Sequence, residues 1–174
     1  MVGTHEKERK QRMEEQGIFI ERILSNENMN RAYKQVKKNK GAAGIDGMEC
    51  ADLLSHLKVN GQQLRESIRN QSYKPMPVKR VEIPKADGSK RKLGIPTVTD
   101  RVVQQAATQV LTPIYERKFH ENSYGFRPGK SAQKAVLKAV KYMNEGYNWV
   151  VDIDLEKFFD TVEPDKLISV LNKE

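Results

Sequence analysis

The sequence predicts an α+β fold that is rich in helices and contains one β-hairpin and one short separate strand. Apolar residues recur at helical spacing over most of the chain, which predicts amphipathic helices. Between residues 78 and 95, two short alternating runs flank an Asp-Gly turn signal, which predicts the hairpin. A third alternating run, over residues 149–155, predicts the separate strand.

The composition favours a polyanionic partner. The 174 residues carry a net charge of +8 with a pI near 9.5, so nucleic acid is the first expectation and an anionic membrane surface the second. No apolar stretch approaches the length of a membrane span, and no secretory signal pattern opens the chain. The single cysteine, Cys50, excludes an internal disulfide. We therefore expect a cytoplasmic protein that is not anchored in a membrane.

The N-terminal part of the chain predicts a series of helices. Residues 4–16 are nearly all charged or amide-bearing and indicate a solvated helix or a disordered tail. Helical spacing then runs from residue 18 to residue 36 and is interrupted by Ser25–Asn28, which predicts two helices. The pair Asn60-Gly61 should stop a helix, so two more helices are expected, at Cys50–Val59 and Gln62–Asn70.

Later helices carry recognisable start signals. Thr97-Val98-Thr99-Asp100 fits a capping box that opens a long helix, whose last turn Pro113 should kink or shorten. Glu163-Pro164-Asp165 opens the last helix, with proline at its first position. Another helix is expected from Ser131 to Met143, with these side chains pointing inward: Ala135, Val136, Ala139, Val140 and Met143.

The alternation along the predicted hairpin indicates the face to which each of its cationic side chains points; residues an even number of positions apart have the same parity and share a face. Val81 and Ile83 alternate with polar residues on one strand, and Leu93 does so on the other. Lys85 has the parity of the first pair and Arg91 that of Leu93, so both cations should lean toward the packed face or a cleft. Cations aimed into a cleft suit a polyphosphate. The alternative is an edge hairpin that surface lysines protect from aggregation.

Two carboxylates follow the alternation of the separate strand. Asp152 and Asp154 should share a face, about 6.6 Å apart after two strand steps. Buried unpaired carboxylates are costly, so a cation is their natural partner, and oxygen ligands of this kind suit Mg²⁺ or Mn²⁺. The alternative is a pair of solvent-facing acids, or a cap for the next helix.

Three further stretches bear on anion binding. Lys37-Lys38-Asn39-Lys40 ends a helix, where lysines complement the helix dipole and could also touch phosphates. Gly41–Gly47 lacks the spacing of a dinucleotide site and predicts only a turn. Tyr124–Ser131 contains Gly-Lys-Ser without the glycine pattern of a P-loop, which disfavours an NTPase. It still places Arg127 and Lys130 at a helix start, where backbone N–H groups favour an anion.

The order of the motifs is more specific than any one of them. The chain contains, in order, four motifs: Gly41–Gly47, the Lys85/Arg91 hairpin, Tyr124–Ser131 and Asp152–Asp160. The spacing from Asp154 to Phe159, Asp-x-x-x-x-Phe, resembles the first catalytic-aspartate motif of reverse transcriptases. Taken in this order, the four motifs closely resemble the N-terminal part of bacterial group II intron-encoded reverse transcriptases, also called maturases, over most of the chain from Ile18 onward.

The resemblance implies how the chain is organised and which residues hold the nucleotide. It implies a charged N-terminal segment at 1–17, the fingers at 18–146 and the truncated start of the palm at 147–174. Residues that match Lys85 and Arg91 hold the triphosphate of the incoming nucleotide in that family.

The resemblance also implies a metal ligand and a sugar contact. The residue that matches Asp154 binds catalytic Mg²⁺, with Mn²⁺ as an alternative, whereas Asp152 is not the invariant ligand. The aromatic residue that matches Phe159 excludes a nucleotide 2′-OH. In the alternative arrangement Phe159 packs in the core and Phe158 contacts the sugar.

The function implied is that of an RNA-directed DNA polymerase that binds intron RNA and assists splicing and retrohoming. Its partners would be group II intron RNA, template RNA, a DNA primer and a dNTP, with no membrane partner and with a homodimer left open. The RNA or template contacts would include Arg127, Lys130, Lys37, Lys38 and Lys40.

The sequence departs from the family because it contains no Asp-Asp pair, and the family's second metal-binding motif is aromatic-Ala-Asp-Asp. Phosphoryl transfer with two metals needs several carboxylates, so we expect a fragment that does not polymerise by itself. One competing function is a non-catalytic RNA-binding splicing cofactor. Another is a retron-type bacterial reverse transcriptase, which fits Gly41–Gly47 and Gly125–Ser131 less well.

Overall fold

The computed structural model describes residues 17–86, 88–155 and 157–171. The chain divides into two units, Met1–Phe119 and His120–Glu174. The first unit contains α1 (17–24), α2 (Asn26–Asn39), α3 (Leu53–Arg69), β1 (Lys79–Pro84), β2 (Lys90–Ile95) and α4 (Val98–Tyr115). The second unit contains α5 (Ala132–Asn144), α6 (Phe158–Thr161) and α7 (Pro164–Leu171).

The core of the first unit is formed where the apolar faces of α2 and α4 meet. Along α4, the buried apolar side chains recur every fourth residue, which is the spacing of one helical face. Burial of these side chains away from water is the main stabilising contribution. The buried residues that pack together are Leu24, Met29, Ala32, Val36, Leu53, Val98, Val102 and Ala106.

A buried amide ties α2 to α4. Asn28 donates from Nδ2 to the carbonyl oxygen of Ala106 at 2.9 Å, and its Oδ1 accepts from Gln109 Nε2 at 2.8 Å. Ser25 is the N-cap of α2 and accepts the Asn28 N–H at 3.3 Å. The predicted break between two helices is therefore confirmed, although the second helix begins at Asn26, inside the predicted interruption.

Helix α3 corrects the predicted stop at Asn60-Gly61, because one helix replaces the two expected at Cys50–Val59 and Gln62–Asn70. A glycine in a helix interior costs only about 1 kcal/mol. Burial of an apolar face that continues past the glycine outweighs that cost. The side chains that carry this face against the core are Leu53, Leu57, Leu64 and Ile68.

Gly61→Ala should stabilise the protein, because no atom outside its own helix lies within 4 Å of the position that a Cβ would take. We expect a gain of about 1 kcal/mol, seen as a higher melting temperature in thermal unfolding. Gly44→Ala is the matched control with the opposite sign, because its Cβ would lie 2.6 Å from Thr97 Cα. A melting temperature that does not rise in Gly61→Ala would contradict a continuous α3.

The predicted hairpin is confirmed, since β1 and β2 pair in antiparallel register. Beyond the last pair, the Lys85 N–H donates to the carbonyl oxygen of Ser89 at 2.7 Å. Gly88 has a φ of +81°, in the left-handed region that glycine adopts readily, and this closes the turn. Asp87, the other half of the turn signal, lies outside the described residues.

The start signals of the later helices are confirmed. Thr97 is the N-cap of α4, and its Oγ1 accepts the Asp100 N–H at 3.1 Å. Pro113 lies inside α4, which ends two residues later at Tyr115. Pro164 is the first residue of α7. None of the helices in the described ranges is long and apolar enough to cross a membrane.

Helix α5 starts where the sequence predicts, but its apolar face is not buried. The Ser131 hydroxyl accepts the N–H of Lys134 at 3.2 Å and caps the helix. An amphipathic face is buried only where another element packs on it, and within the described part of the second unit neither α6 nor α7 packs closely on α5. The side chains predicted to point inward are instead exposed or half-buried: Ala135, Val136, Ala139, Val140 and Met143.

The predicted strand at residues 149–155 is wrong for the described part of the chain. Residues 147–155 make no strand pairing, and β1 and β2 form the one sheet found in the described ranges. A strand needs a neighbour for its backbone hydrogen bonds, and no described residue supplies one. The apolar side chains of the run are accordingly exposed, from 64% at Leu155 to 97% at Trp149.

Candidate functional site

Arg91 lies on the apolar face of the hairpin, as its parity predicts. It pairs with Ile83, and Val81 pairs with Leu93, so these four side chains share one face. That face is open and not packed, because Ile83 is 44% and Leu93 40% exposed. Lys85 follows two residues beyond Ile83 and is also exposed. The hairpin therefore presents two cations beside apolar side chains, on a surface that a ligand can reach.

The opposite face of the hairpin contains its own acid. Glu82 pairs with Lys92, and the Glu82 Oε2 lies 2.8 Å from Lys90 Nζ. No carboxylate in residues 17–86, 88–155 and 157–171 forms a salt bridge with Lys85 or Arg91. The positive charge on the Arg91 face is thus available to an anionic ligand.

In the second unit, Asp154 and an aromatic pair line one open groove. The rings of Phe158 and Phe159 meet edge to face, with centroids 5.6 Å apart and planes at 62°. Phe159 is 90% exposed, so the alternative in which it packs in the core is wrong for the described structure. The groove is lined by Ile153, Asp154, Leu155, Lys157, Phe158 and Phe159.

A sharp turn at Lys157 gives this groove its shape. Lys157 has a φ of +51°, in the left-handed region that residues other than glycine rarely adopt. Its carbonyl oxygen accepts the N–H of Thr161 at 3.1 Å, which starts α6. The five-residue spacing from Asp154 to Phe159 therefore ends on a helical turn, which returns the aromatic ring to the groove that contains the carboxylate.

The described residues offer the right type of ligand for a divalent metal ion, but too few of them. Asp154 offers a carboxylate, the ligand that Mg²⁺ and Mn²⁺ prefer, and Asp152 is exposed two residues away. Within the described ranges, no group of three or more His, Cys, Asp or Glu side chains could hold a metal ion. Two-metal phosphoryl transfer needs more ligands than this, so these residues alone do not form a complete metal site.

Arg127 and Lys130 have structural contacts in the loop before α5. Arg127 Nη1 donates to the carbonyl oxygens of His120 at 2.6 Å and Ser123 at 3.0 Å. Lys130 Nζ donates to the carbonyl oxygen of Glu121 at 2.6 Å and lies 4.8 Å from the Tyr124 ring centroid. The predicted anion-binding cations therefore also hold this loop in shape.

The lysines at the end of α2 are all exposed. Lys37 and Lys38 lie in the last turn, where they complement the helix dipole, and Lys40 is the C-cap with a φ of +47°. Lys37 Nζ also lies 5.9 Å from the centroid of the Tyr33 ring. Their side chains remain accessible to phosphates.

Arg101 is a residue whose role the sequence did not predict. Its Nη2 donates to the carbonyl oxygen of Ala42 at 2.6 Å, and its guanidinium fills the space where a Cβ of Gly41 would lie. The glycine-rich loop is therefore held against α4, as well as being a turn. No local signal could reveal this contact, because it joins residues that are 59 positions apart.

Comparison with known proteins identifies the family. Residues 83–173, more than half of the chain, match the reverse transcriptase (RNA-dependent DNA polymerase) family. The chain belongs to that family. The predicted relation to group II intron-encoded reverse transcriptases is confirmed, as is the helix-rich α+β class with a basic hairpin.

Three relatives illustrate the likeness. Protein YkfC of Escherichia coli is 38% identical over 78% of this chain and 37% of its own length. The group II intron-encoded protein LtrA of Lactococcus lactis is 37% identical over 81% of this chain and 23% of its own length. The putative COX1/OXI3 intron 2 protein of Saccharomyces cerevisiae is 34% identical over 82% and 16%, respectively.

Among solved structures, a chain of the Cas6-RT-Cas1–Cas2 complex aligns with a TM-score of 0.49 and 24% identity, over 86% of this chain and 15% of that chain. This chain spans between 16% and 37% of the length of the three relatives described above. The family that this chain matches is described as RNA-dependent DNA polymerases, and its members generally use divalent metal ions.

Proposed function

We propose that this chain forms the fingers, at residues 18–146, and the start of the palm, at residues 147–174, of a group II intron reverse transcriptase. The observation that carries the proposal is the open hairpin face on which Arg91 lies beside apolar side chains, with Lys85 exposed just beyond the end of β1. Family membership and relatives named for introns support it.

The hairpin holds the triphosphate of an incoming deoxynucleotide. The planar guanidinium of Arg91 donates two parallel hydrogen bonds to phosphate oxygens, and Lys85 adds a compact charge near the turn. Negative charge gathers on the departing pyrophosphate as the phosphorus–oxygen bond breaks, and the two cations stabilise that charge.

The groove of the second unit supplies one metal ligand and the sugar contact. Asp154 would be a ligand for Mg²⁺, or Mn²⁺ in its place, and Asp152 would be the neighbouring carboxylate. Further carboxylates are required to complete the metal site. Phe159 lies beside the sugar and leaves no room for a 2′-OH.

RNA is the second class of ligand, and RNA binding in support of splicing is the second candidate function. The net charge of +8 and the relatives named for introns favour it. Group II intron RNA, or template RNA with its DNA primer, contacts the basic side chains Lys37, Lys38, Lys40, Arg127 and Lys130.

Arg91→Ala, in an intact reverse transcriptase that contains this chain, should raise KM for dNTP by about tenfold or more, because a charged hydrogen-bonding group is lost from the triphosphate. Lys92→Ala is the matched control, since Lys92 is adjacent in β2 but points to the opposite face. Equal effects of the two substitutions in steady-state kinetics would contradict the assignment.

Phe159→Ala in the same intact enzyme should admit ribonucleotides, because removing the ring opens space for a 2′-OH. The ratio of kcat/KM for dNTP over rNTP should fall, mainly through a gain for the ribonucleotide. In the 174-residue chain the same substitution should change the melting temperature little, since Phe159 is 90% exposed there. Phe158→Ala is the control, and a selectivity change in that variant alone would move the role to Phe158.

RNA binding by the 174-residue chain should weaken steeply with salt, because phosphate neutralisation releases counterions. For about six phosphate contacts, filter binding should show a loss on the order of 10³-fold between about 50 and 200 mM salt. Replacing Lys37, Lys38 and Lys40 with glutamine should make the slope shallower, by about one for each lysine that contacts a phosphate. Lys166→Gln, which removes a lysine already paired with Glu163, is the control. An affinity that stays flat with salt would rule out this mode of binding.

A further inference from the structure

The hairpin is connected to the rest of the chain by a segment before β1 and a segment after β2, which we call its entering arm and its leaving arm. Both arms contact one buried carboxylate. Asp100 lies in the first turn of α4 and is 4% exposed. Its Oδ2 accepts the Met76 N–H at 3.2 Å and the Thr97 O–H at 2.6 Å. Met76 precedes β1 by three residues and Thr97 follows β2 by two. A single oxygen atom therefore joins the chain on both sides of the hairpin.

The entering arm can reach Asp100 through only one backbone donor. Pro75 and Pro77 flank Met76 and have no N–H, so Met76 supplies the one N–H of this tripeptide. Just before it, the Tyr73 hydroxyl donates to Asp100 Oδ1. Burial, followed by the contact with Asp100, raises the pKa of Tyr73, which keeps the phenol protonated as a donor.

The leaving arm is fixed by a reciprocal contact. Thr97, which is buried, accepts the Asp100 N–H at its Oγ1 and donates the hydroxyl hydrogen to Asp100 Oδ2. The same pair therefore caps α4 and anchors the end of the hairpin. Removing the carboxylate would leave the backbone cap in place and release the arms.

The side chains of β1 and β2 contribute little packing that would fix the hairpin to the helices. Their residues are exposed, except for Val81 and Ile95, which are half-buried. The arms therefore set the direction in which the hairpin points. We infer that Asp100 is a positioning residue, which fixes the hairpin to the helical core and so sets where Lys85 and Arg91 meet a triphosphate. Only the triphosphate part of this inference rests on the proposed function.

Hydrogen–deuterium exchange on the 174-residue chain tests directly whether Asp100 fixes the hairpin to the helical core. In Asp100→Ala, the amides of β1 and β2 should exchange about fivefold faster or more, because hydrogen bonds to both arms are lost. Asn28→Ala is the control, because it removes the buried tie between α2 and α4 and leaves the arms intact. It should lower the melting temperature without a selective change in the hairpin.

Two exchange results would overturn the inference. One is an unchanged hairpin in Asp100→Ala, and the other is an acceleration shared equally by α2 and α3. If Asp100→Ala does not fold, Asp100→Asn decides the matter. Its amide oxygen still accepts but without charge, so hairpin exchange should rise by a smaller factor. Exchange equal to the wild type in that variant overturns the inference.

Binding of dATP with Mg²⁺ tests the consequence for the ligand. Arg91→Ala and Asp100→Ala should each weaken affinity, and the double variant should lose less than the sum of the two losses, because both substitutions act on the Arg91 contact. Additive losses, or wild-type affinity in Asp100→Ala, would overturn the positioning role. If Arg91→Ala binds as the wild type does, the proposed function is wrong, and the exchange result alone decides whether Asp100 fixes the hairpin.

Discussion

The packing of α2 against α4 is the contact on which the described part of the first unit depends. Ala32, Val102 and Ala106 are completely buried there, and the small alanines allow the two helices to approach closely. Inside this contact the Asn28 amide satisfies a carbonyl oxygen of α4 and receives a hydrogen bond from Gln109. Because unsatisfied buried polar groups are costly, the amide also specifies how the two helices align.

The N-terminal turn of α4 connects this core to the surface that binds the ligand in our proposal. Asp100 and Thr97 hold the arms of the hairpin, and Arg101 holds the glycine-rich loop. A Cβ at Gly44 would lie 2.6 Å from the Thr97 backbone, so this loop also has to pass close to the same turn. The helix start thus positions two separate motifs of the family resemblance.

The sequence predicts well where the determinants are local. The helix starts predicted at Thr97 and Ser131 are correct, because a capping hydroxyl acts on the next few residues. The parity of Arg91 in the hairpin is also correct, because alternation fixes the face of each strand residue.

The predictions that fail depend on distant parts of the chain. Packing against the core carries α3 through Gly61, and a strand at 149–155 would need a partner. Local spacing predicts for Asp100 only a place in a capping box, since its contacts with Tyr73 and Met76 join distant positions. A pattern of local spacing contains no information about such contacts.

The central claim is that the Arg91 face of the hairpin receives a nucleotide triphosphate. Photo-crosslinking with a dNTP that carries an arylazide on its γ-phosphate, followed by peptide mapping, tests it most directly. We predict adducts on residues 79–95 that unlabelled dNTP competes away and that Arg91→Ala removes, whereas Lys92→Ala retains them. Competable adducts on α3 or α5, with none on the hairpin, would contradict it.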